Sequence, residues 1–313
     1  MLRLIAVCLF GFLIAAPAHA QPGAQPKLRV IASFSILSDM VAQIGGEQIT
    51  VVTLVPAMAD AHVFQPTPSD ARAVAHADVL VASGLNFEPW LDRLVAASGF
   101  RGRRIVASED IAPLALRADH DHGHDHGHSH GKSGKSRIDD PHLWHDLTRM
   151  QAYVGNIAQG LAAVDPAHAE GYRARGAAYA AELRALDAWA EAEIGKLPLA
   201  QSKVITQHDA FGYLAARYRI AFMAPQGVTT EAEASAEAVG RLIRQIRREN
   251  VQALFFENIA NPRLIEQIAR EAKVKVGGRL YSDALSPPGG EADSFVKMYR
   301  LNVSRLIEAM KRD

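Results

Sequence analysis

Short apolar runs alternate with amphipathic stretches along most of the chain after residue 27. The front half contains four such runs, at Leu28 to Ala32, Ile49 to Val55, Val79 to Ala82 and Arg104 to Ala107. The back half has four more, at Lys203 to Thr206, Ile220 to Met223, Ala253 to Phe256 and Val274 to Leu280. Strands that alternate with helices at this spacing form parallel sheets covered on both faces. The pattern predicts an α/β fold with two similar lobes, each a mostly parallel sheet flanked by helices.

Helical spacing between the runs predicts the covering helices. In the front half it marks Ile36 to Ile44, a helix capped by Thr67 or Ser69 that continues through Ala75, and Glu88 to Ala97. In the back half it marks Asp209 to Tyr218, Ala236 to Glu249, Pro262 to Ala272 and Ser294 to Met310.

Two longer helices are predicted between the lobes. The first runs from Thr148 to Val164, and Asp165-Pro166 then supplies an N-cap and a first-turn proline for the second, which Pro198 ends. About 30 residues at 1.5 Å each give a rod of about 45 Å. An ordinary packing helix is the alternative, but this length favours a rigid spine that joins the lobes. We therefore expect an N-terminal lobe over residues 27–147, the helical segment over 148–198 and a C-terminal lobe over 199–313.

The first twenty residues have the plan of a secretory signal peptide. Arg3 precedes an apolar run from Leu4 to Ala15, and Ala18-His19-Ala20 supplies small residues for cleavage after Ala20. The single cysteine, Cys8, lies inside this run, so the mature chain has no thiol, and neither a disulfide nor a cysteine metal site is available. No later run is long enough for a membrane helix. We expect a soluble periplasmic protein.

Composition and charge exclude one class of partner. The chain is 313 residues long and 49% hydrophobic, which allows a sizeable core, and its formal net charge is zero. A nucleic-acid-binding protein carries a basic surface that this balance does not supply. We therefore expect no nucleic-acid partner.

A histidine-rich tract interrupts the end of the predicted N-terminal lobe, in a loop over residues 119–137. Six histidines alternate with Asp, Gly and Ser, at His120, His122, His124, His126, His128 and His130. Neutral imidazole is the commonest side-chain ligand for zinc, so the tract predicts an accessory, low-affinity metal site. A solvated loop without a role is the alternative.

Three other histidines and one aspartate lie where a parallel sheet binds ligands. His62 follows the second predicted strand, His142 ends the first lobe, His208 directly follows the fifth strand, and Asp283 follows the last. Ligands bind outside the carboxyl ends of such strands, so two donors from each lobe should converge on the cleft. Three imidazoles and one carboxylate suit Zn(II) best.

Each of these candidates has an alternative. A histidine after a strand can be a cap or a surface residue, and Asp283 can cap a turn. His145 is close enough to His142 to compete for its role, and Asp140 or Asp146 can accept a hydrogen bond from a ligand imidazole. The remaining histidines of the mature chain, His76 and His168, are expected to be structural or solvated.

Four motifs resemble one family. They are Asp60-x-His62-x-Phe64-x-Pro66-x-Pro68-x-Asp70, Asp140-Pro141-His142-Leu143-Trp144, His208-Asp209-Ala210-Phe211-Gly212-Tyr213-Leu214 and Leu280-Tyr281-x-Asp283. Together they resemble the zinc/manganese receptors among the periplasmic solute-binding proteins of ABC importers. The match covers nearly the whole mature chain.

This resemblance implies two α/β lobes bridged by one rigid long helix, with metal ligands at the positions of His62, His142, His208 and Asp283. Manganese-preferring relatives commonly carry glutamate at the position of His208, so histidine there resembles the zinc branch. Some zinc members place an acidic residue directly before the first histidine, where this chain has Ala61.

We therefore expect a monomeric receptor that captures Zn(II) and delivers it to an inner-membrane ABC permease without chemistry. A periplasmic zinc chaperone is a further expected partner, through the histidine tract. The alternatives are a manganese-specific receptor, a zinc hydrolase with Glu257 or Asp209 as general base, and a metal buffer without a transporter. The sequence has no His-Glu-x-x-His helix, which disfavours the hydrolase.

Overall fold

A computed structural model describes residues 26–116, 138–197, 203–249 and 251–311. The predicted signal peptide and the histidine tract lie outside the described residues. Among the described residues, no helix combines the length and the apolar character needed to cross a membrane.

The elements follow the predicted order. The strands are β1 Leu28–Phe34, β2 Ile49–Val55, β3 Val79–Ala82, β4 Arg103–Val106, β5 Ala115–Leu116, β6 Ile138–Asp139, β7 Lys203–Ile205, β8 Ala221–Met223, β9 Val251–Glu257 and β10 Val276–Leu280. The helices are α1 Ser35–Gly45, α2 Pro68–Ala75, α3 Leu91–Ser98, α4 Leu147–Val164, α5 Ala169–Ile194, α6 Gly212–Tyr218, α7 Ala236–Arg248, α8 Arg263–Ala272 and α9 Phe295–Met310.

Two four-stranded sheets form the two lobes. The N-terminal sheet has the order β2-β1-β3-β4 and the C-terminal sheet the order β10-β9-β7-β8, and every pairing in both sheets is parallel. The central strands β1 and β3 are apolar and buried, as strands covered on both faces must be. The predicted fold class is therefore confirmed.

Helix α5 is the long helix between the lobes. Its 26 residues span about 39 Å, shorter than predicted because Pro166–His168 forms a separate 3₁₀ turn and the helix ends at Ile194. It packs against α1 and α4 on one side and α9 on the other. Its Asp187 also accepts hydrogen bonds from Arg217 and Tyr218 of α6. The helix thus contacts elements of both lobes.

One hydrophobic core continues through both lobes. It contains Val30 of β1, Leu183 of α5, Val204 of β7 and Phe295 of α9, all at most 1% exposed. A second, smaller cluster lies under α7 and α8, on the other face of the C-terminal sheet. The shared core ties the lobes together beyond the covalent linkers.

Two predicted helix starts were wrong, and one strand pair was not predicted. The helix predicted from Glu88 begins at Leu91, because residues 84–86 have positive φ and the Glu88 carboxylate accepts hydrogen bonds from the N–H groups of Ser83 and Gly84. The helix predicted from Asp209 begins only at Gly212. The antiparallel pair of β5 and β6 was not predicted; Leu116 pairs with Ile138 on either side of the histidine tract.

Candidate metal centre

The four predicted side chains meet between the sheets. His62, His208 and Asp283 lie in loops that follow β2, β7 and β10, and His142 lies between β6 and α4. All four residues are at most 2% exposed. One potential ligand atom from each lies within 4.8 Å of those of the other three. Because the carboxyl ends of parallel strands share one edge, the two facing sheets bring these loops to one point.

The distances between the donor atoms match the edges of a small coordination sphere. Asp283 Oδ2 lies 3.3 Å from His62 Nε2 and 3.1 Å from His208 Nε2, and Asp283 Oδ1 lies 3.6 Å from His142 Nε2. His62 Nε2 and His142 Nε2 are 3.4 Å apart. Bonds of 2.0 to 2.1 Å in a tetrahedron require edges of about 3.4 Å. The cluster can therefore surround one ion with little rearrangement.

Carboxylates orient two of the three imidazoles. His142 Nδ1 lies 2.7 Å from Asp140 Oδ1, and His208 Nδ1 contacts Glu257 Oε2. When a ring nitrogen of a neutral imidazole donates to a carboxylate, the lone pair lies on the other nitrogen, which here is Nε2 facing the cluster. Of the two acceptors proposed for this role, Asp140 fills it. Asp146 instead caps α4 by accepting from the N–H of Thr148.

His62 is held differently. Its Nδ1 is buried and has no hydrogen-bond partner among the described residues. Its ring meets the Phe87 ring edge-on, with centroids 4.8 Å apart. The loop itself is fixed, because the His62 N–H donates to Asp60 Oδ1 and Trp90 Nε1 donates to the carbonyl of Ala61. Aromatic packing and main-chain contacts thus replace a carboxylate partner.

The charges of the cluster suit a cation. Burial alone would raise the pKa of Asp283, but the imidazoles of His208 and His142 outweigh it and hold that pKa well below its usual value. Burial alone would lower the pKa of His208, but the carboxylates of Glu257 and Asp283 outweigh it and raise that pKa well above its usual value. The Asp283 oxygens face only the imidazole nitrogens of the cluster, at 3.1 to 3.6 Å. An ionised carboxylate in this position is a suitable cation ligand.

The other described histidines do not belong to the cluster of four. His145 is buried, but its Nε2 lies 3.1 Å from the carbonyl oxygen of Ser282. His76 is an exposed C-cap of α2, and His168 pairs with Asp165 beside α5. Neither contributes to the cluster. The six histidines of the tract lie outside the described residues.

Sequence patterns missed the residues that support the cluster. Glu257 had been proposed only as a general base, and Phe87 and Asn258 were not singled out. Their contacts join positions far apart in the chain, so spacing gives no signal for them. A weak signal exists for Glu257, since an acidic residue at the end of a buried strand usually has a specific partner.

The family model described as "ZnuA: Zinc-uptake complex component A periplasmic" matches residues 30–309. The chain belongs to this family. The resemblance seen in the motifs is thereby confirmed, and family membership makes the chain a metal-binding receptor of an ABC importer.

Relatives within this group are named for different metals. The chain is 26% identical to "Manganese ABC transporter substrate-binding lipoprotein PsaA" of Streptococcus pneumoniae, over 100% of this chain and 98% of that protein. It is 27% identical to "Iron-binding protein YfeA" of Yersinia pestis, over 97% and 94%. The structure of the periplasmic zinc binding protein TroA from Treponema pallidum shares the fold, with a TM-score of 0.82, 24% identity and coverage of 92% of this chain and 100% of that one.

Proposed function

We propose that this ZnuA-family protein binds one Zn(II) between its lobes through His62, His142, His208 and Asp283, and delivers it to an inner-membrane ABC permease. The observation that carries the proposal is the set of four buried donor atoms, with separations of 3.1 to 3.6 Å to Asp283. Four protein donors close a tetrahedral site, which suits binding, whereas a hydrolytic zinc site keeps one position for water.

The donor set favours zinc over manganese. Three of the four donors are imidazole nitrogens, which suit zinc, whereas carboxylate, carbonyl and water oxygens suit manganese. Divalent manganese also binds nitrogen-containing sites more weakly than zinc. A manganese receptor is the second candidate, and the name of the Streptococcus pneumoniae relative favours it. Bidentate binding by both oxygens of Asp283, which face the cluster, would supply the extra oxygen ligand that such an ion needs.

The contacts of Glu257 argue against a hydrolase. One carboxylate oxygen accepts hydrogen bonds from the N–H groups of Gln207 and His208, and the other contacts His208 Nδ1. A general base needs an oxygen within reach of the attacking water. Glu257 is instead fully used in holding a ligand imidazole. The other base considered, Asp209, follows His208 and has a partner of its own.

The N-terminal sequence supports a periplasmic location. We propose export and cleavage after Ala20 rather than lipid attachment at Cys8, because Cys8 lies within the apolar run. The receptor is proposed to act as a monomer.

The histidine tract is proposed to hold further zinc loosely and to exchange it with a periplasmic chaperone. The paired strands β5 and β6 support this proposal, because they place both ends of the loop beside Asp140, which orients His142. The two ends of the loop are thus anchored near the cleft.

Growth and binding together test the proposal. Deleting the gene should abolish growth in zinc-depleted medium, and added zinc but not manganese should restore it. Competition titration of the purified protein should give one tight zinc site and weaker manganese binding. If manganese restored growth and bound more tightly than zinc, the protein would instead be a manganese receptor. Normal growth without the gene, together with tight zinc binding, would indicate a metal buffer.

A further inference from the structure

Asp283 differs from His142 and His208 in how it is held. Each of these two histidines has a carboxylate partner outside the cluster, whereas the side-chain neighbours of the Asp283 oxygens are the three imidazoles of the cluster itself, at 3.1 to 3.6 Å. Those imidazoles are the groups that would turn to an ion. The position of the Asp283 carboxylate therefore also depends on the main chain on either side of it.

That main chain is fixed from both lobes. Within the C-terminal lobe, Asn258 Oδ1 accepts from the Ser282 N–H at 3.2 Å, and Asn258 Nδ2 donates to the Ala284 carbonyl at 2.9 Å. From the N-terminal lobe, Trp144 Nε1 donates to the Ser282 carbonyl at 2.7 Å, and His145 Nε2 lies 3.1 Å from the same oxygen. The carbonyl directly before Asp283 thus has two donors that cross the cleft.

His145 is otherwise hard to explain as a core residue. It is completely buried, and a carbonyl can only accept, so Nε2 must carry the proton. Its Nδ1 then has a lone pair without a hydrogen-bond partner among the described residues, which is costly in a core. Burial lowers the pKa of His145 to about 3, which keeps the ring neutral. An apolar residue against Phe211 would avoid this cost, so the contact with Ser282 is the distinctive role of the imidazole.

We propose that Trp144 and His145 are positioning residues that hold Asp283 in its metal-binding position through the carbonyl of Ser282. The proposal rests on the function proposed above. Both residues belong to the turn that follows His142. They therefore connect His142 of the N-terminal lobe to Asp283 of the C-terminal lobe. With both donors present, binding a metal requires no ordering of the Asp283 loop.

The two donors predict a specific pattern among variants. Removing either one leaves the Ser282 carbonyl with a partner, so His145→Leu and Trp144→Phe should each raise the zinc Kd roughly threefold to tenfold. Removing both leaves a buried carbonyl without a donor, which the loop can relieve only by moving. The double variant should therefore raise the Kd by more than the product of the two single effects. His145→Gln keeps an N–H donor and should restore most of the affinity.

The experiment combines zinc affinity with a measurement that needs no metal. Zinc Kd is measured by chelator competition, and hydrogen exchange of the peptide covering residues 281–285 is measured in the metal-free protein. The peptide should exchange faster in His145→Leu and fastest in the double variant, with near-normal exchange in His145→Gln. His168→Leu is the matched control, because it removes a histidine remote from the cleft and should change neither quantity.

Two results would overturn the proposal. One is exchange of this peptide at the unaltered rate in His145→Leu and the double variant. The other is a zinc Kd within about twofold of the unaltered chain in all variants, with only a lower Tm, since that indicates packing alone. If the double variant does not fold, the comparison of His145→Leu with His145→Gln decides. Failure of the proposed function has a different signature, namely no tight zinc binding by the unaltered chain.

Discussion

At the scale of single residues, two carboxylates outside the cluster of four orient two of its histidines. Asp140 and Glu257 fix which imidazole nitrogen faces the cluster, and fix the direction of each ring. Partners of this kind raise the basicity of the ligand and reduce the ordering that binding requires. We therefore expect Asp140 and Glu257, as well as the four donors, to affect the affinity for the metal.

Replacing Glu257 tests this expectation. Glu257→Gln keeps the shape but removes the charge, so we expect the zinc Kd to rise by roughly tenfold to a hundredfold. Chelator competition gives the value. Glu266→Gln on the exposed face of α8 is the matched control and should leave the Kd unchanged. An unchanged Kd in Glu257→Gln would show that His208 needs no carboxylate partner.

The pKa shifts at the centre predict how binding depends on pH. The pKa of His208 is raised well above its usual 6.5, so a proton occupies this ligand in the metal-free protein and zinc must displace it. The zinc Kd should therefore rise as pH falls, beginning above pH 6.5, by up to about tenfold per pH unit for this proton. Competition titrations between about pH 8.5 and pH 6 measure it. A constant Kd over that range would contradict the account.

The same shift affects the metal-free protein in the opposite sense. The pKa of His208 is higher in the folded protein than in the unfolded chain, where it is near 6.5. Protonation of His208 therefore stabilises the folded, metal-free protein. This stabilisation is fully present below pH 6.5 and is lost as the pH rises through the pKa of the folded state. Lowering the pH should thus weaken zinc binding, while protonated His208 stabilises the metal-free protein.

The four residues that cluster between the sheets were predicted from the sequence, but the residues that support them were not. The donors follow predicted strands, and the geometry of parallel sheets brings strand ends together. The supports depend on contacts between distant positions: 49 residues separate His208 from Glu257, and 138 separate Trp144 from Ser282. No local pattern encodes such pairs, so His145 was considered a competing ligand when it contacts a main-chain carbonyl instead.

At the scale of elements, α5 determines how the lobes are held together. It was predicted from the Asp165-Pro166 start and the Pro198 end, and the alternation of strands and helices was predicted from apolar runs. The start of α3 was not, because residues 84–86 have positive φ and the Glu88 carboxylate accepts hydrogen bonds from the N–H groups of Ser83 and Gly84. The start of α6 at Gly212 was not predicted either. The short pair of β5 and β6 has too few residues to give a pattern.

A truncation in α5 tests its contribution to the shared core. Leu183 is 0% exposed in the cluster that joins the two lobes. Leu183→Ala should lower the free energy of unfolding by about 2 to 5 kcal/mol. Arg184→Ala, on the exposed face of the same turn, should change it by at most about 0.5 kcal/mol. Denaturant unfolding of metal-free protein measures both, and equal effects would show that α5 does not support the core.

At the scale of the whole molecule, the shared core and α5 limit how far the lobes can separate. The Asp283 loop adds a further constraint, since Met58 donates its N–H to the Leu285 carbonyl and the Leu285 N–H donates to Ser35. We therefore expect metal release to depend on loop motions and small lobe shifts. A wide rotation between the free and loaded forms would refute this expectation.

Deleting residues 119–137 distinguishes zinc bound in the cleft from zinc bound by the histidine tract. The four donors of the centre lie outside this loop, so one tight zinc should remain and the extra, loosely held zinc should disappear. Equilibrium dialysis with zinc gives both numbers. Loss of the tight zinc on deletion would mean that the ligands lie in the tract.

The most direct test is anomalous diffraction from crystals of the zinc-loaded protein at the zinc edge. We predict one strong peak in the cleft, at about 2.0 to 2.2 Å from the Nε2 atoms of His62, His142 and His208 and from a carboxylate oxygen of Asp283. A principal peak elsewhere, or one in the cleft that fewer than these four side chains contact, would contradict the account.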